Sequence, residues 1–346
     1  MYHDYKNIQT EEFMNSWFSK KWTDHESFNI YVANPFCLKK CNYCIYNPIV
    51  RKIDSKDYKK YYNEYLPKQI EKFKPILEMK TPDTIYFGGG TASFMTAETM
   101  KAIFDAIPNF KDIKLKNFEC HPILMTDKKI KTLIDYNFTY VSYGIQSMSR
   151  EIINEQNRFF YDIPKIKKQL EVFKKNDIIT NCDLLAYMET GRNSDLDTLK
   201  TDLAELNKKI MPDVITIYPM YQRLKSNIHS YSNANHNYKK IYGLRKTLKE
   251  FVEKSNYNSN DSQLSLEKGK IISAGMVNYF LLNISEKKFI SVRKYNSSGY
   301  PQVPSNQNVL ALGGLYDHSP YSYLGKKKYW KMINDNWELR IKEKIS

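Results

Sequence analysis

The chain has little of what several large classes of protein need. Its five cysteines in 346 residues are too few, and too unevenly spread, for a disulfide framework. No run of about 18 apolar residues occurs, so the sequence predicts no transmembrane helix. Its first residues have no apolar signal region. These features lead us to expect a cytoplasmic protein.

An excess of positive charge is spread along the whole chain. Lysine and arginine number 53 against 38 acidic residues, a formal net charge of +15. Such a charge can indicate a nucleic acid or polycarboxylate partner. Here lysine pairs recur without one concentrated tract, whereas nucleic-acid-binding proteins tend to cluster their basic residues. A lysine-rich solvated surface explains the charge better, and we do not expect a nucleic acid as partner.

Short apolar runs of strand type alternate with segments of helical periodicity. The strand-like runs are 28–33, 84–87, 117–120, 140–143, 178–187 and 214–218. Helical spacing appears between them at 58–77, 95–107, 126–133 and 163–173. Strands that alternate with helices indicate βαβ units in a parallel sheet. The pattern predicts an α/β fold, a partial (β/α)6 barrel over residues 28–220, in which the strands' carboxyl ends carry the chemistry.

The remainder of the chain has a different character. After residue 220 it has loops rich in Ser, Asn and Tyr, with helical patterns at 238–253 and 266–282 and a short strand pattern at 288–294. We expect residues 221–346 to form a C-terminal α+β extension that covers the barrel mouth. Residues 1–27 are predicted to be an N-terminal segment.

Three of the five cysteines lie on one loop at the end of the first predicted strand. Cys37, Cys41 and Cys44 have the spacing Cys-x3-Cys-x2-Cys. Thiolates bind transition metals and iron–sulfur clusters, and three of them leave one coordination position open. Zinc is the alternative, with His25 as a candidate fourth ligand. However, His25 precedes the strand and is expected at its far end.

A glycine-rich turn follows the second predicted strand. Gly88, Gly89 and Gly90 precede Thr91 between that strand and a predicted helix. Glycines at such a place let the backbone approach a ligand closely, and free amide groups can bind an anion. The turn is not a Walker phosphate loop, because no Gly-Lys-Ser/Thr follows. Taken alone, it could equally be a tight connection.

Together these motifs resemble the radical S-adenosylmethionine (SAM) superfamily, whose signature is Cys-x3-Cys-x2-Cys. Within it, the chain looks most like the branch of oxygen-independent coproporphyrinogen III oxidase. That branch also contains haem chaperones, and methylases and cyclopropanases of natural-product pathways. The matching pieces follow the same order over residues 28–220; they are Tyr31, 34–37, 42–44, 88–91, Glu119 with Pro122, 142–147, Arg158 and 182–185.

The resemblance implies roles for individual residues. It implies that the cysteine triad binds a [4Fe–4S] cluster, and that the open iron takes the amino and carboxylate groups of SAM. The turn formed by Gly89, Gly90 and Thr91 then holds the methionine part. Other positions that line the SAM pocket in this branch are Tyr31, Glu119, Gln146, Arg158 and Asp183. Carboxylates suit the ammonium and ribose hydroxyls of SAM, and a guanidinium suits its carboxylate.

The two remaining cysteines are expected to have a packing role. Cys120 and Cys182 each neighbour an acid of the predicted pocket, Glu119 or Asp183. Successive strand residues point to opposite faces of a sheet. If the acids face the pocket, these thiols face the helices, which disfavours a second cluster or a covalent step.

The chain departs from the branch where a substrate would be selected. Ala92 stands where the branch has proline, while Tyr187 and Glu189 stand in a loop that is otherwise a Gly-Leu-Pro turn. The loop is therefore bulkier and more acidic, and these two residues are substrate-loop candidates. We expect an enzyme that reductively cleaves SAM to a 5′-deoxyadenosyl radical acting on a small molecule, such as a radical methylase that uses one or two SAM molecules.

Two alternatives of the same branch stay open. One is the coproporphyrinogen oxidase reaction, an oxidative decarboxylation of propionates. The other is a haem chaperone, for which His121, His229 and His318 are candidate axial ligands. A radical enzyme would also need an electron donor such as flavodoxin or ferredoxin as its partner.

Overall fold

A sheet flanked by helices organises the protein. The computed structural model describes residues 15–23, 26–44, 48–186, 196–219, 234–259, 279–283, 307–313, 321–324, 328–333 and 336–341. The strands are β1 (Ser27–Asn34), β2 (Phe36–Cys37), β3 (Ile49–Val50), β4 (Thr84–Gly89), β5 (Leu115–Cys120), β6 (Tyr140–Gln146), β7 (Ile179–Ala186), β8 (Val214–Pro219), β9 (Tyr257–Ser259), β10 (Tyr279–Asn283), β11 (Gln307–Gly313), β12 (Tyr321–Leu324), β13 (Lys328–Ile333) and β14 (Asn336–Ile341).

The helices follow the strands in the predicted alternation. They are α1 (Lys56–Lys60), α2 (Leu66–Met79), α3 (Ala97–Ala106), α4 (Asp127–Asp135), α5 (Arg150–Glu155), α6 (Ile163–Lys175), α7 (Leu196–Lys209) and α8 (Ala234–Glu253). Thr96, Thr126 and Asp162 begin α3, α4 and α6 by accepting a hydrogen bond from the amide three residues later. No helix in the described ranges has the length and apolar character that a membrane crossing requires.

The six predicted strands are confirmed, and they lie side by side in chain order. The order β1-β4-β5-β6-β7-β8 is parallel throughout. A seventh parallel strand, β11, pairs along the other edge of β1, with Tyr31 opposite Ala311 and Ala33 opposite Gly313. The parallel sheet is thus one strand larger than expected, and part of the C-terminal segment lies within it. The division at residue 220 stays a prediction.

Antiparallel strands continue the sheet at both edges. β10 and β9 follow β8, and β12, β13 and β14 follow β11. The helix predicted over 266–282 is therefore wrong at its end, since Tyr279–Asn283 is a strand. A short apolar run fits either structure by periodicity alone, and pairing with β8 decides it. The strand expected at 288–294 lies outside the described residues, whereas the helix expected at 238–253 is confirmed in α8.

Side-chain alternation gives the parallel strands one apolar and one polar face. On β1, Phe28, Ile30 and Val32 are fully buried in the hydrophobic core together with residues of the helices. Cys120 and Cys182 belong to the same core, so their predicted packing position is confirmed. The opposite face carries polar side chains in register across the strands, and burying it therefore requires hydrogen-bond partners or a ligand.

Candidate active site

The cysteine loop is anchored at both ends by backbone hydrogen bonds. Cys37 ends β2, which pairs with β3, and its carbonyl accepts a hydrogen bond of 3.1 Å from the Arg51 amide. Farther along, the Asn42 amide donates to the Gln156 carbonyl at 3.0 Å, and the Asn42 side chain donates to the Glu155 carbonyl at 2.8 Å. The loop is thereby held between the end of β1 and the turn after α5.

Two of the three thiols contact residues predicted for the site. The Cys37 Sγ lies 3.1 Å from the Thr91 Oγ1, and the Arg158 Nη1 donates to the Cys41 Sγ at 3.6 Å. Burial raises the pKa of the Cys37 thiol to about 12, although the Thr91 hydroxyl acts in the opposite direction. A thiol in such surroundings becomes a thiolate when a bound cation compensates its charge.

The three thiols of the cysteine loop are the type of donor that an iron–sulfur cluster takes. In the described ranges, no three His, Cys, Asp or Glu side chains are already gathered at the spacing of a metal site. Nevertheless, the charges of Cys41 and Cys44 both raise the pKa of Cys37, so the three thiols share one electrostatic environment. Thiolates that repel one another are stabilised by a shared cation.

The glycine turn packs directly against the cysteine loop. Gly89 has a φ of +101°, which favours glycine. A Cβ atom on Gly90 would lie 2.8 Å from the Phe36 carbonyl oxygen and 3.2 Å from the Cys37 Sγ. Position 90 therefore requires glycine, because the glycine turn and the cysteine loop approach each other closely there. This close approach brings the two sequence motifs together.

Glu119 lies beside the glycine turn on the polar face. The Tyr86 hydroxyl donates a hydrogen bond to the Glu119 Oε1, and the Tyr86 ring stacks on Tyr31 with 5.5 Å between centroids. A Cβ on Gly88 would lie 2.8 Å from the Tyr31 hydroxyl and 3.1 Å from the Glu119 Oε2. Burial raises the pKa of Glu119 to about 7, opposed by the Tyr86 hydrogen bond and aided by the charge of Asp183.

Asp183 is the centre of a hydrogen-bond network across three strands. The Ser142 hydroxyl donates to its Oδ2 at 2.9 Å, and the Asn181 Nδ2 donates to its Oδ1 at 2.7 Å. The Thr216 hydroxyl donates in turn to the Asn181 Oδ1 at 2.9 Å. Burial raises the pKa of Asp183 to about 6 despite these hydrogen bonds and the positive charge of Arg158. Two carboxyl groups with raised pKa therefore face the same region.

Arg158 connects the cysteine loop to the end of β6. Its Nη2 donates to the Gly144 carbonyl at 2.6 Å. A Cβ on Gly144 would lie 2.9 Å from the Gln146 Nε2 and 3.0 Å from the Arg158 Nη2, so the two side chains meet over this glycine. The Arg158 Nε is buried and has no hydrogen-bond partner among the described residues. Such an unpaired donor is suited to an anion, such as a ligand carboxylate.

The structure thus brings together the described residues that the sequence predicted for the pocket. It also adds four that sequence reasoning did not assign to the site: Tyr86, Ser142, Asn181 and Tyr43. Three of them sit on the polar face by strand alternation and register, a signal that predicted strand pairing could have supplied. Tyr43 lies within the cysteine motif, and burial raises its pKa well above the usual range beside Cys41 and Arg158.

Several predicted residues cannot be placed in this arrangement. Tyr187, Glu189, His25, His229 and His318 lie outside the described residues. Of the candidate haem ligands, His121 is described, and little of its side chain faces solvent. Its Nδ1 accepts a hydrogen bond of 3.4 Å from the Ile123 amide, and burial holds the pKa of His121 well below its usual value.

Comparison with known families and curated proteins shows which proteins the chain resembles. Residues 31–202 match the radical SAM superfamily. The heme chaperone HemW of Haemophilus influenzae is 24% identical over 163 residues, which are 45% of this chain and 42% of HemW. The oxygen-independent coproporphyrinogen III oxidase of Helicobacter pylori is 28% identical over 130 residues, 36% of this chain and 28% of the oxidase. The chain spans less than half the length of these relatives.

The fold has a similar counterpart among solved structures. Coproporphyrinogen III oxidase (HemN) from Escherichia coli, described as a radical SAM enzyme, superposes with a TM-score of 0.71 at 17% identity. The superposition covers 98% of this chain and 76% of that one. At this identity the likeness shows the fold alone. Residues 31–202 are a domain of the radical SAM superfamily, and the chain has relatives among HemW and oxygen-independent coproporphyrinogen III oxidases.

Proposed function

We propose that the protein is an enzyme that binds a [4Fe–4S] cluster through Cys37, Cys41 and Cys44 and SAM on the adjoining polar face. The contact between Cys37 and Thr91 carries the proposal, because it joins the cluster loop to the turn that would hold the methionine part. The chemistry that this cofactor pair supplies when bound is one-electron cleavage of SAM to methionine and a 5′-deoxyadenosyl radical. An electron donor such as flavodoxin or ferredoxin would complete the system.

The chain's own residues bind and orient the charged groups of SAM. The unpaired Arg158 Nε offers a donor to the SAM carboxylate, while Gly89, Gly90 and Thr91 present backbone and hydroxyl groups to the amino end. Stacked Tyr31 and Tyr86 form an aromatic wall beside this region. Contacts of Arg158 with Gly144 and of Thr91 with Cys37 already hold these side chains, which lowers the cost of ordering them on binding.

The two acids supply the complementary negative charge. Burial raises the pKa of both Glu119 and Asp183 in the protein without ligand. SAM carries a sulfonium and an ammonium group, and a nearby cation lowers the pKa of a carboxyl group. Binding of SAM is therefore coupled to release of protons from this pair, and its affinity should rise as the pH rises through about 6 to 7.

For the substrate, we propose a small molecule other than a porphyrinogen, with a radical methylase as the leading form. Support comes from Ala92 in place of proline and from Tyr187 and Glu189 in the sequence that follows β7. A methylase of this kind would use a second SAM molecule as methyl donor. These departures fall where a substrate would be chosen, and they leave the residues predicted for the cluster and SAM intact.

A haem chaperone is the second candidate. The observation that favours it is that HemW proteins of several organisms are among the curated relatives, including the protein of Lactococcus lactis at 26% identity over 190 residues. The oxidase reaction is the third candidate, because oxygen-independent coproporphyrinogen III oxidases are also among the curated relatives. The three differ in their products, so one set of assays separates them.

Anaerobic reconstitution with iron and sulfide, followed by SAM and dithionite, tests the proposal. We expect 5′-deoxyadenosine by mass spectrometry, and its absence from a cluster-loaded protein would contradict the proposal. With candidate substrates, a methylase yields 5′-deoxyadenosine and S-adenosylhomocysteine, whereas oxidative decarboxylation yields 5′-deoxyadenosine and carbon dioxide. A chaperone would retain added haem through gel filtration without substrate turnover. Cys182→Ala is the matched control, because Cys182 lies in the core.

A further inference from the structure

The loop that follows β6 forms hydrogen bonds with residues of other elements. Residues 147–149 link Gln146 to α5, and Ser147 is fully buried. Inside the loop, the Ser147 amide donates to the Ile145 carbonyl at 2.9 Å, and the Ser149 amide donates to the Ser147 hydroxyl at 3.2 Å. The Met148 amide and the Ser147 carbonyl find their partners in other elements. A loop of this kind depends on those partners for its conformation.

Asp202 and Tyr161 supply the two outside partners. Asp202, on α7, accepts a hydrogen bond of 2.8 Å from the Met148 amide through its Oδ1. The Tyr161 hydroxyl donates to the Ser147 carbonyl. Asp202 stands 54 positions from Met148 in the chain, so the contact is a product of the tertiary fold. The peptide unit between Ser147 and Met148 is thus clamped at its oxygen and at its nitrogen.

Asp202 is an unusual residue for its surroundings. It is only 2% exposed, and its Oδ2 has no hydrogen-bond partner among the described residues. Burial raises the pKa of Asp202 to about 6, although hydrogen bonds from Ser147 and the Met148 amide lower it. A buried carboxyl group with one unsatisfied oxygen destabilises a fold. The hydrogen bond that the Met148 amide donates to Asp202 indicates that this costly carboxyl group serves to hold the loop.

The loop begins at a strained residue of the predicted SAM pocket. Gln146 has a φ of +71°, and the pairing of β6 with β7 shifts register between Gly144 and Gln146. A left-handed conformation at a residue other than glycine costs about 1 kcal/mol or more and persists only when its surroundings hold it. Asp202 contacts Met148, which is two residues after Gln146.

We propose that Asp202 is a positioning residue for the SAM pocket. By holding the Met148 amide it maintains the left-handed turn that brings Gln146 against Gly144 and Arg158. The inference rests on the proposed function, because the pocket is assigned to SAM there. The inference goes further because it makes α7, which carries none of the residues predicted for the pocket, a determinant of SAM affinity. A carboxyl group that only stabilised α7 would leave SAM affinity unchanged once the protein is folded.

Three variants of the reconstituted protein test this role. Asp202→Ala removes the acceptor, Asp202→Asn keeps an oxygen for the Met148 amide, and Asp197→Asn makes the same chemical change on the exposed side of α7. The measurements are the Kd for SAM, the rate of 5′-deoxyadenosine formation at saturating SAM, iron content, and hydrogen exchange of the peptide containing Met148. The exchange measurement reports on the clamp independently of activity.

For Asp202→Ala we expect faster exchange at Met148 and a Kd for SAM raised about tenfold, equivalent to about 1.4 kcal/mol. Iron content and the rate at saturating SAM should stay within about twofold of the wild type. Asp202→Asn should recover most of the affinity, and Asp197→Asn should match the wild type. If Asp202→Ala does not fold, Tyr161→Phe takes its place, since it releases the Ser147 carbonyl and should also weaken SAM binding.

One result overturns the inference alone: an unchanged Kd for SAM in a folded Asp202→Ala or Tyr161→Phe protein, whether or not iron content and rate fall. A wild-type protein that carries its cluster and does not bind SAM would instead overturn the proposed function, and this inference with it.

Discussion

The thiol of Cys37 lies 3.1 Å from the hydroxyl of Thr91, although the two residues are 54 positions apart in the chain. The contact exists because β1 and β4 are neighbouring parallel strands whose carboxyl ends meet at one edge of the sheet. It turns two separate sequence motifs into one site.

Loss of the Thr91 hydroxyl should lower the reduction potential of the cluster. Hydrogen bonds to the sulfurs of an iron–sulfur cluster are one determinant of its potential. Thr91→Val removes such a bond at Cys37, and a bond of about 1 kcal/mol corresponds to roughly 40 mV for one electron. Redox titration without SAM, followed by electron paramagnetic resonance, measures the shift. Thr91→Ser keeps the hydroxyl and should stay near the wild-type potential; equal potentials in all three proteins would contradict the assignment.

Removal of any one triad thiol should abolish SAM cleavage. Cys37→Ala, Cys41→Ala and Cys44→Ala each leave too few ligands for the cluster, so iron content after reconstitution should fall sharply. Cys182→Ala should keep its iron and its activity, because that thiol is buried in the core, and should cost roughly 1 kcal/mol of stability. Iron analysis and 5′-deoxyadenosine formation check both expectations. Full cleavage in a triad variant would remove the basis of the proposed function.

Addition of one methyl group at position 90 should displace the cysteine loop. In Gly90→Ala the Cβ would meet the carbonyl oxygens of Asn34 at 3.0 Å and Phe36 at 2.8 Å, which are parts of the backbone and yield little. We expect a loss of about 1–3 kcal/mol in unfolding free energy and a reduced iron content. Denaturant unfolding and iron analysis measure the two effects. A variant with full iron and wild-type stability would show that the two loops are not packed as described.

Without SAM, stability should fall as the pH rises from about 4.5 to about 7. The folded pKa of Glu119 is raised to about 7 from 4.5 by burial, so the folded state retains a proton that the unfolded state releases in this range. Unfolding free energy then decreases with pH, by at most about 3 kcal/mol for this group. Denaturant unfolding at pH 5 and pH 8 gives the difference. Glu119→Gln should reduce it, whereas Glu71→Gln, at an exposed side chain on α2, should not.

Replacement of Arg158 by lysine should weaken SAM binding although the charge is retained. The guanidinium reaches both the Cys41 Sγ and the Gly144 carbonyl, and an ammonium group on a single stem cannot bridge them in the same way. We expect the Kd for SAM in Arg158→Lys to rise at least tenfold, measured by equilibrium binding to the reconstituted protein. Arg150→Lys, on the exposed first turn of α5, provides the control. Equal affinity for SAM in the two variants would contradict a role for Arg158 in SAM binding.

Much of the fold followed from local pattern. The six strands and the helices between them could be located because apolar residues recur with the period of the element that they form. The strand β10 was misassigned and β11 was not foreseen. Both pair with strands that are distant in the chain, and the sequence of a short apolar run does not indicate which strand it pairs with. The cysteine triad and the glycine turn were recognisable because their spacing is itself the chemical requirement.

The amino-acid sequence by itself indicated the superfamily and the order of six of the seven parallel strands, and it predicted the residues that would bind a cluster, since each depends on spacing along the chain. Only the tertiary structure decided which groups support those residues. Strand register places Tyr86 on Glu119 and Asn181 on Asp183. The packing of α7 brings Asp202 to Met148. Contacts of this kind depend on distances across the sheet and between elements, and local sequence pattern does not encode those distances.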